Sequence, residues 1–123
     1  MARTFTADLE RFRDKTRGQM RRVFQQSLGD VMDAAQQAVP VDTGFLRASL
    51  ASEVNGARLA EGPDSYTLAI AATDLGDVAR FAWTAEYAAH VEFGARGRPG
   101  RHFVGQAAAQ WPQIVEANAR KVK

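Results

Sequence analysis

Along the first third of the chain, apolar side chains fall at Leu9, Phe12, Met20, Val23, Phe24, Leu28, Val31, Ala35 and Ala38. This spacing follows the 3.6-residue period and predicts one long amphipathic helix over residues 6–38. At 1.5 Å per residue such a helix is roughly 50 Å long. Gly18 and Gly29 mark points of bending or close contact, because glycine weakens a helix interior.

The pattern stops at Pro40-Val41-Asp42-Thr43-Gly44. Pro40 disfavours helical geometry at Val39. Asp42 or Thr43 offers a side-chain oxygen to cap the next turn, and Gly44 permits a tight bend. Phe45, Leu46 and Leu50 are the apolar residues expected to pin this corner to a core.

Past the corner, the pattern predicts strands at 49–54, 66–72 and 78–83. Turns are expected at Asn55-Gly56 and at 61–64, and a hairpin link at 74–77. An antiparallel sheet of about three strands, covered on one face by the long helix, makes the chain α+β. Residues 86–94 read as two helical turns closed by Gly94, with Tyr87 and Val91 on a common face. Phe103, Ala107, Trp111, Ile114, Val115 and Val122 predict a C-terminal helix, broken at Gln110–Trp111 by Pro112. The 123 residues suit a single domain, 1–123.

Composition narrows the function classes. The chain is 46% hydrophobic and 24% charged, which fits a packed fold better than a disordered segment. No apolar run approaches the roughly 20 residues that span a bilayer. The N-terminus lacks an apolar signal core, so a cytoplasmic chain is expected. Without cysteine there are no disulfides or thiolate metal sites, and His90 and His102 alone make a poor metal set. No cofactor is expected.

The net charge of +2 hides a strong asymmetry. Residues 1–41 carry seven basic and five acidic groups, residues 42–92 three and eight, and residues 93–123 six and one. Between Arg11 and Arg22 there are six basic residues and Asp14 as the one acid. An acidic middle between basic ends suits pairing between neighbouring copies, or simply a solvated surface.

Three stretches could carry chemistry. Asp42-Thr43-Gly44 is the triplet of retroviral-type aspartic proteases, in which two chains each supply a carboxylate. Those triplets lie between β-rich segments, whereas here a long helical pattern and Pro40 come first. His90 and Glu92 lie two apart on a helix and point in different directions, so His90 reads as a surface or interface residue. The third stretch is a basic loop at 94–102, with Arg96, Arg98 and Arg101. Its Arg96-Gly97-Arg98-Pro99 matches an AT-hook core. Its glycines predict a mobile loop that orders on an acidic neighbour or beside DNA.

A long helix followed by Pro40-Val41-Asp42-Thr43-Gly44, Leu46, Arg47 and Ser49 resembles the first signature of the HK97 gp10-like family. Tyr87-Ala88, Val91-Glu92-Phe93-Gly94, Pro99 and Phe103 resemble the second. The order and spacing agree over nearly the whole chain, although the loop after Gly94 is longer and more basic than the family pattern. The resemblance implies an α+β virion protein of a tailed phage, a tail-completion, head–tail joining or neck component with no enzymatic activity and no cofactor. It further implies a homo-oligomeric ring, a hexamer where it stacks on tail symmetry. Its neighbours would be a head-side connector or stopper and tail-tube or tail-terminator proteins. Such a ring would be assembled in the host cytoplasm, end in the virion, involve no membrane, and contact packaged DNA non-specifically. The competing expectation is a non-specific nucleic-acid-binding protein using the 11–22 helix and the 94–102 loop.

Overall fold

A computed structural model describes residues 5–40, 44–95 and 97–121. Asp42, Thr43 and Arg96 lie outside them, as do Val122 and Lys123, and of Arg98 only the backbone is described. The first helix, α1, runs Phe5–Ala38. Its C-terminal half buries Ser27, Met32, Ala35 and Gln36, a helical stripe continued by Val39. A Cβ placed at Gly18 or Gly29 would meet nothing within 4 Å, so neither glycine serves close packing.

A short helix, α2 (Phe45–Ala48), turns the chain into strand β1 (Leu50–Val54). The Asn55-Gly56 turn takes positive φ at both residues, 52° and 83°, which matches the twist of a two-residue hairpin. It leads into β2 (Ala57–Glu61), which the pattern did not predict as a strand. A bulge at Ser52/Glu53 shifts the β1–β2 register. Strand β3 (Ala79–Trp83) lies on the other side of β1, giving the antiparallel order β2-β1-β3.

The expected strand at 66–72 is instead a helix, α3 (Ser65–Ala71). Alternation would place Leu68 and Ile70 on one face and Ala69 on the other. In fact Ala69 and Ile70 are both buried while Leu68 is 62% exposed, and Thr73 is buried a turn later. That is a period of 3.6. Gly62-Pro63-Asp64 therefore starts a helix, with Asp64 O accepting from both the Thr67 backbone N–H and its hydroxyl. Residues 74–77 join α3 to β3 and are no hairpin, and the partner of β3 is β1.

Helix α3 packs on β1, β2 and α1. Small residues let it approach: buried Ser52 and Ser65 hydrogen-bond through their hydroxyls at 2.9 Å. Helix α4 (Ala88–Phe93) ends at Gly94 as expected. Residues expected to form an irregular loop pair as a small hairpin, β4 (Gly94–Ala95) with β5 (Arg98–Pro99). Helices α5 (Phe103–Ala109) and α6 (Trp111–Lys121) break at Gln110, where the proline pattern placed the break. Both pack on α1. Asn118 ties α6 to it, donating to Ser27 Oγ at 3.1 Å and Asp30 Oδ2 at 2.9 Å. The long helix, three-stranded antiparallel sheet and further short and C-terminal helices make the fold α+β.

Candidate functional site

The two sequence signatures meet in space. From the corner come Val39 and Leu46, from the second signature comes Phe103, and Ala85 lies just ahead of that signature. These four buried side chains form one apolar cluster, with Trp83, Ala88 and Val91 packed against it. Phe103 is 1% exposed and meets the Trp83 ring edge-on at 5.0 Å. Burying a side chain of that size contributes about 2–3 kcal/mol.

Gln36 is the polar pin of the corner, and the apolar pattern gave no sign of it. It is 5% exposed. Its Nε2 donates to Pro63 O at 2.8 Å and Arg47 O at 3.2 Å, and its Oε1 accepts from Trp83 Nε1 at 2.9 Å. Arg47 closes the exchange by donating Nε–H to Gln36 O at 3.0 Å. One side chain thus fixes α1, the corner, the start of α3 and β3 in mutual register, and each buried donor or acceptor it meets is satisfied. The residue ahead of α2 is Gly44, left-handed at φ 75°, with no side-chain cap on the helix. Pro40 is half-buried at the end of the preceding segment.

Phe45 does not enter the core. It is exposed and stacks on Tyr87 at 6.4 Å, so the two signatures also share a surface shelf. Val91 packs inward while Phe93 is 73% exposed just ahead of Gly94.

Glu92 has a role that helical spacing could not reveal. It is buried, and its two carboxylate oxygens accept the backbone N–H groups of Val104 (2.9 Å) and Gly105 (3.0 Å). Those are free donors in the first turn of α5, where negative charge is favoured. The chain between is drawn back onto α4 as well. Arg101 N–H donates to Val91 O at 2.7 Å and His102 N–H to Glu92 O at 3.1 Å. Gly100 lies so close that a Cβ there would be 2.4 Å from Glu92 O. The contact explains the glycine: no side chain fits.

Among the sequence-predicted site residues, then, Leu46, Arg47, Val91 and Glu92 hold the junction together. Gly44, Tyr87, Phe93 and Gly94 shape its surface, and His90 and Arg101 are exposed beside it. Among the described residues there is no group of three or more His, Asp or Glu side chains placed to hold a metal, and no helix long and apolar enough to cross a membrane.

A family model described as "Bacteriophage HK97-gp10, putative tail-component" matches residues 3–94, three quarters of the chain. The chain belongs to the HK97-gp10-like family. The match takes in α1, the corner, the sheet and α4, and stops at Gly94. The arginine-bearing hairpin, α5 and α6 lie beyond it, so the resemblance is narrower than the sequence reading placed it. Glu92, within the family region, attaches the start of that extension, and Ser27 and Asp30 hold its last helix through Asn118. No curated protein and no solved structure matches the chain. As a member of this family the protein is a phage tail component, a virion protein that works against other virion proteins.

Proposed function

We propose that this tail component forms a homo-oligomeric ring in the neck of a tailed phage or phage-like particle, joining the tail to the head-side connector. The ring is a hexamer where it stacks on the tail. Its function is geometric: a repeated interface closes around an axis and leaves no free edge. The observation that carries this reading is the merger of both signatures into one cluster, locked by Gln36 and Glu92. Residues gathered in this way hold a shape, and the family is one of tail components. Pro40, Gly44, Leu46 and Arg47 with Tyr87, Val91, Glu92, Phe93 and Gly94 define the subunit's fixed corner, and Asp42 and Thr43 of the same signature lie outside the described residues. The basic segment that follows supplies Arg101, exposed, together with Arg96 and Arg98 of the sequence, for contact with an acidic neighbour or with the backbone of packaged DNA without reading sequence.

Particles assembled without this chain test the reading. Separate filled heads and finished tails are expected, and immunogold labelling of intact particles should mark the head–tail junction. Complete, infectious particles lacking the chain, or label confined to the distal tail, would overturn it.

A further inference from the structure

The sheet ends in two edge strands, β2 and β3, and they are unlike. The β2 edge is blunted against a further strand by its bulge opposite Ser52/Glu53 and by the exposed ion pair of Arg58 with Glu61. Strand β3 keeps an unbroken register with β1 from Ala79 to Trp83, and Arg80 is its one charged residue.

The direction of the β3 backbone groups is fixed at both ends of the strand. Thr84 N–H donates to Ser49 O at 2.9 Å, and Asn55 N–H donates to Val78 O at 2.8 Å. In an antiparallel ladder, bonded pairs alternate with non-bonded ones. Arg80 and Ala82 therefore bond to β1, opposite Glu53 and Ala51. Ala79, Phe81 and Trp83 turn their N–H and C=O groups to the outer edge. Among the described residues no hydrogen bond reaches those outer groups. Side chains follow the same alternation. Arg80 and Ala82 are exposed on one face, while Ala79, Phe81 and Trp83 are half-buried on the face where Ser52 meets α3. Helix α3 lies mainly over β1 and β2, which leaves Phe81 partly uncovered.

The outer donors and acceptors are symmetric about Phe81. We infer that two copies of the chain pair through β3, antiparallel, about a two-fold axis at Phe81. Phe81 then exchanges both backbone bonds with its counterpart, and Ala79 exchanges both with Trp83 of the second copy. Arg80 falls opposite Ala82 of the second copy, so no like charges face each other. Sliding the strands by two residues in one direction would set Arg80 against Arg80, and in the other would carry Ala79 past the end of the strand. Either shift loses bonded pairs. The Phe81 rings meet on the inner face and extend the apolar layer that α3 leaves open. Such a contact is the same patch on both copies and closes at two. It belongs to the free chain and goes beyond the ring reading, whose repeated contact uses other surfaces.

The chain has no cysteine, so the register can be read by cross-linking. Arg80→Cys and Ala82→Cys both change exposed side chains, and circular dichroism should be unchanged. Mixed in oxidised glutathione, the two variants set their thiols in a directly opposed pair, at a separation that a disulfide spans. The mixture should form a linked dimer roughly tenfold faster than either variant alone, where the thiols are offset along the strands. Light scattering after size-exclusion chromatography, up to millimolar protein, should find the wild type at twice the 13.4 kDa chain mass. Ala79→Pro, at the first position of the strand, removes an outer N–H and none that β1 uses. It should fold and weaken the dimer roughly tenfold or more. Cross-linking as fast in either cysteine variant alone would overturn the register. A wild type that stays monomeric at millimolar protein, or Ala79→Pro pairing as tightly as the wild type, would overturn the contact. Assemblies larger than a dimer, with no cross-link in the mixture, would assign association to another surface and overturn it too.

Discussion

Glu92 and Gly105 stand thirteen residues apart, yet the carboxylate of the first receives the backbone N–H of the second at 3.0 Å, inside the first turn of α5. A capping group is normally local, supplied by the residue ahead of the helix. Here that residue is His102, left-handed at φ 50° and without a side-chain cap bond, and the acceptor arrives from the previous helix. Capping and tertiary attachment become one interaction.

Replacing Glu92 with alanine should therefore strip two donors of their acceptor and free α5 from α4. A lost charged cap of this kind costs about 1–2 kcal/mol. Glu92→Gln keeps one carbonyl acceptor and should cost less. Urea unfolding of the three chains gives the order wild type, Gln, Ala in falling midpoint. A Gln variant as unstable as the Ala one would show that the charge, and not the acceptor, holds the helix.

Gln36 makes the second prediction. Gln36→Leu fills similar volume but leaves Trp83 Nε1, Arg47 O and Pro63 O without their partner. Unmet buried groups cost 1–3 kcal/mol each before relaxation, so a loss of about 2–4 kcal/mol is expected. Trp83 emission should also shift relative to the wild type, read with Trp111→Phe as background. Unfolding at the wild-type midpoint would reduce the network to an ornament of the apolar cluster.

Much of this architecture is legible in the sequence. The extent of α1, its stop at Pro40, the close of α4 at Gly94 and the break at Gln110 each follow from a local rule acting alone. The buried face of α1, by contrast, is Ser27, Met32, Ala35 and Gln36, and of the expected apolar positions Ala35 alone is fully buried among the described residues. The strand expected at 66–72 is a helix because Thr67-Leu68-Ala69-Ile70 satisfies both periods over so short a run. Only the neighbours decide: β1 accepts Ser65 and Ala69, and Leu68 is left in solvent. Gln36, Glu92 and Asn118 were silent for a different reason. Their partners lie 47, 13 and 91 residues away, and nothing in a polar residue's own sequence surroundings announces a distant acceptor or donor. Arg47 of the first signature and Glu92 of the second were identified by resemblance, whereas their bonds emerged only from the fold.

Alkaline titration offers a third check. Tyr66 donates its hydroxyl to Asp33, and that bond, with burial as a lesser cause, pushes the phenol from 10.0 up to about 12. The neutral phenol is thus favoured in the folded chain. Its contribution is fully present below pH 10 and is lost as pH rises through about 12. Ultraviolet absorbance of tyrosinate should show this late step, and Asp33→Ala should bring it down toward the ordinary value. A step that stays near 12 in the variant would make burial the cause instead.

Two glycines near the junction give the last prediction, because different physics constrains them. Gly44 adopts φ 75°, but a Cβ there meets nothing within 4 Å. Gly44→Ala should lose only the left-handed penalty, about 1–2 kcal/mol, and Gly44→Asn should lose less, since asparagine tolerates that region. Gly100 is the reverse case. Its dihedral is not left-handed, but a methyl group would press into the backbone at Glu92 O, 2.4 Å away. Neither an asparagine nor an alanine relieves that clash, so both should move α5 off α4. Hydrogen exchange at the Val104 and Gly105 amides separates the two cases. Protection there should survive both substitutions at 44 and vanish with either at 100, and protection retained in Gly100→Ala would mean that the backbone of 99–102 can shift aside without losing the Glu92 cap.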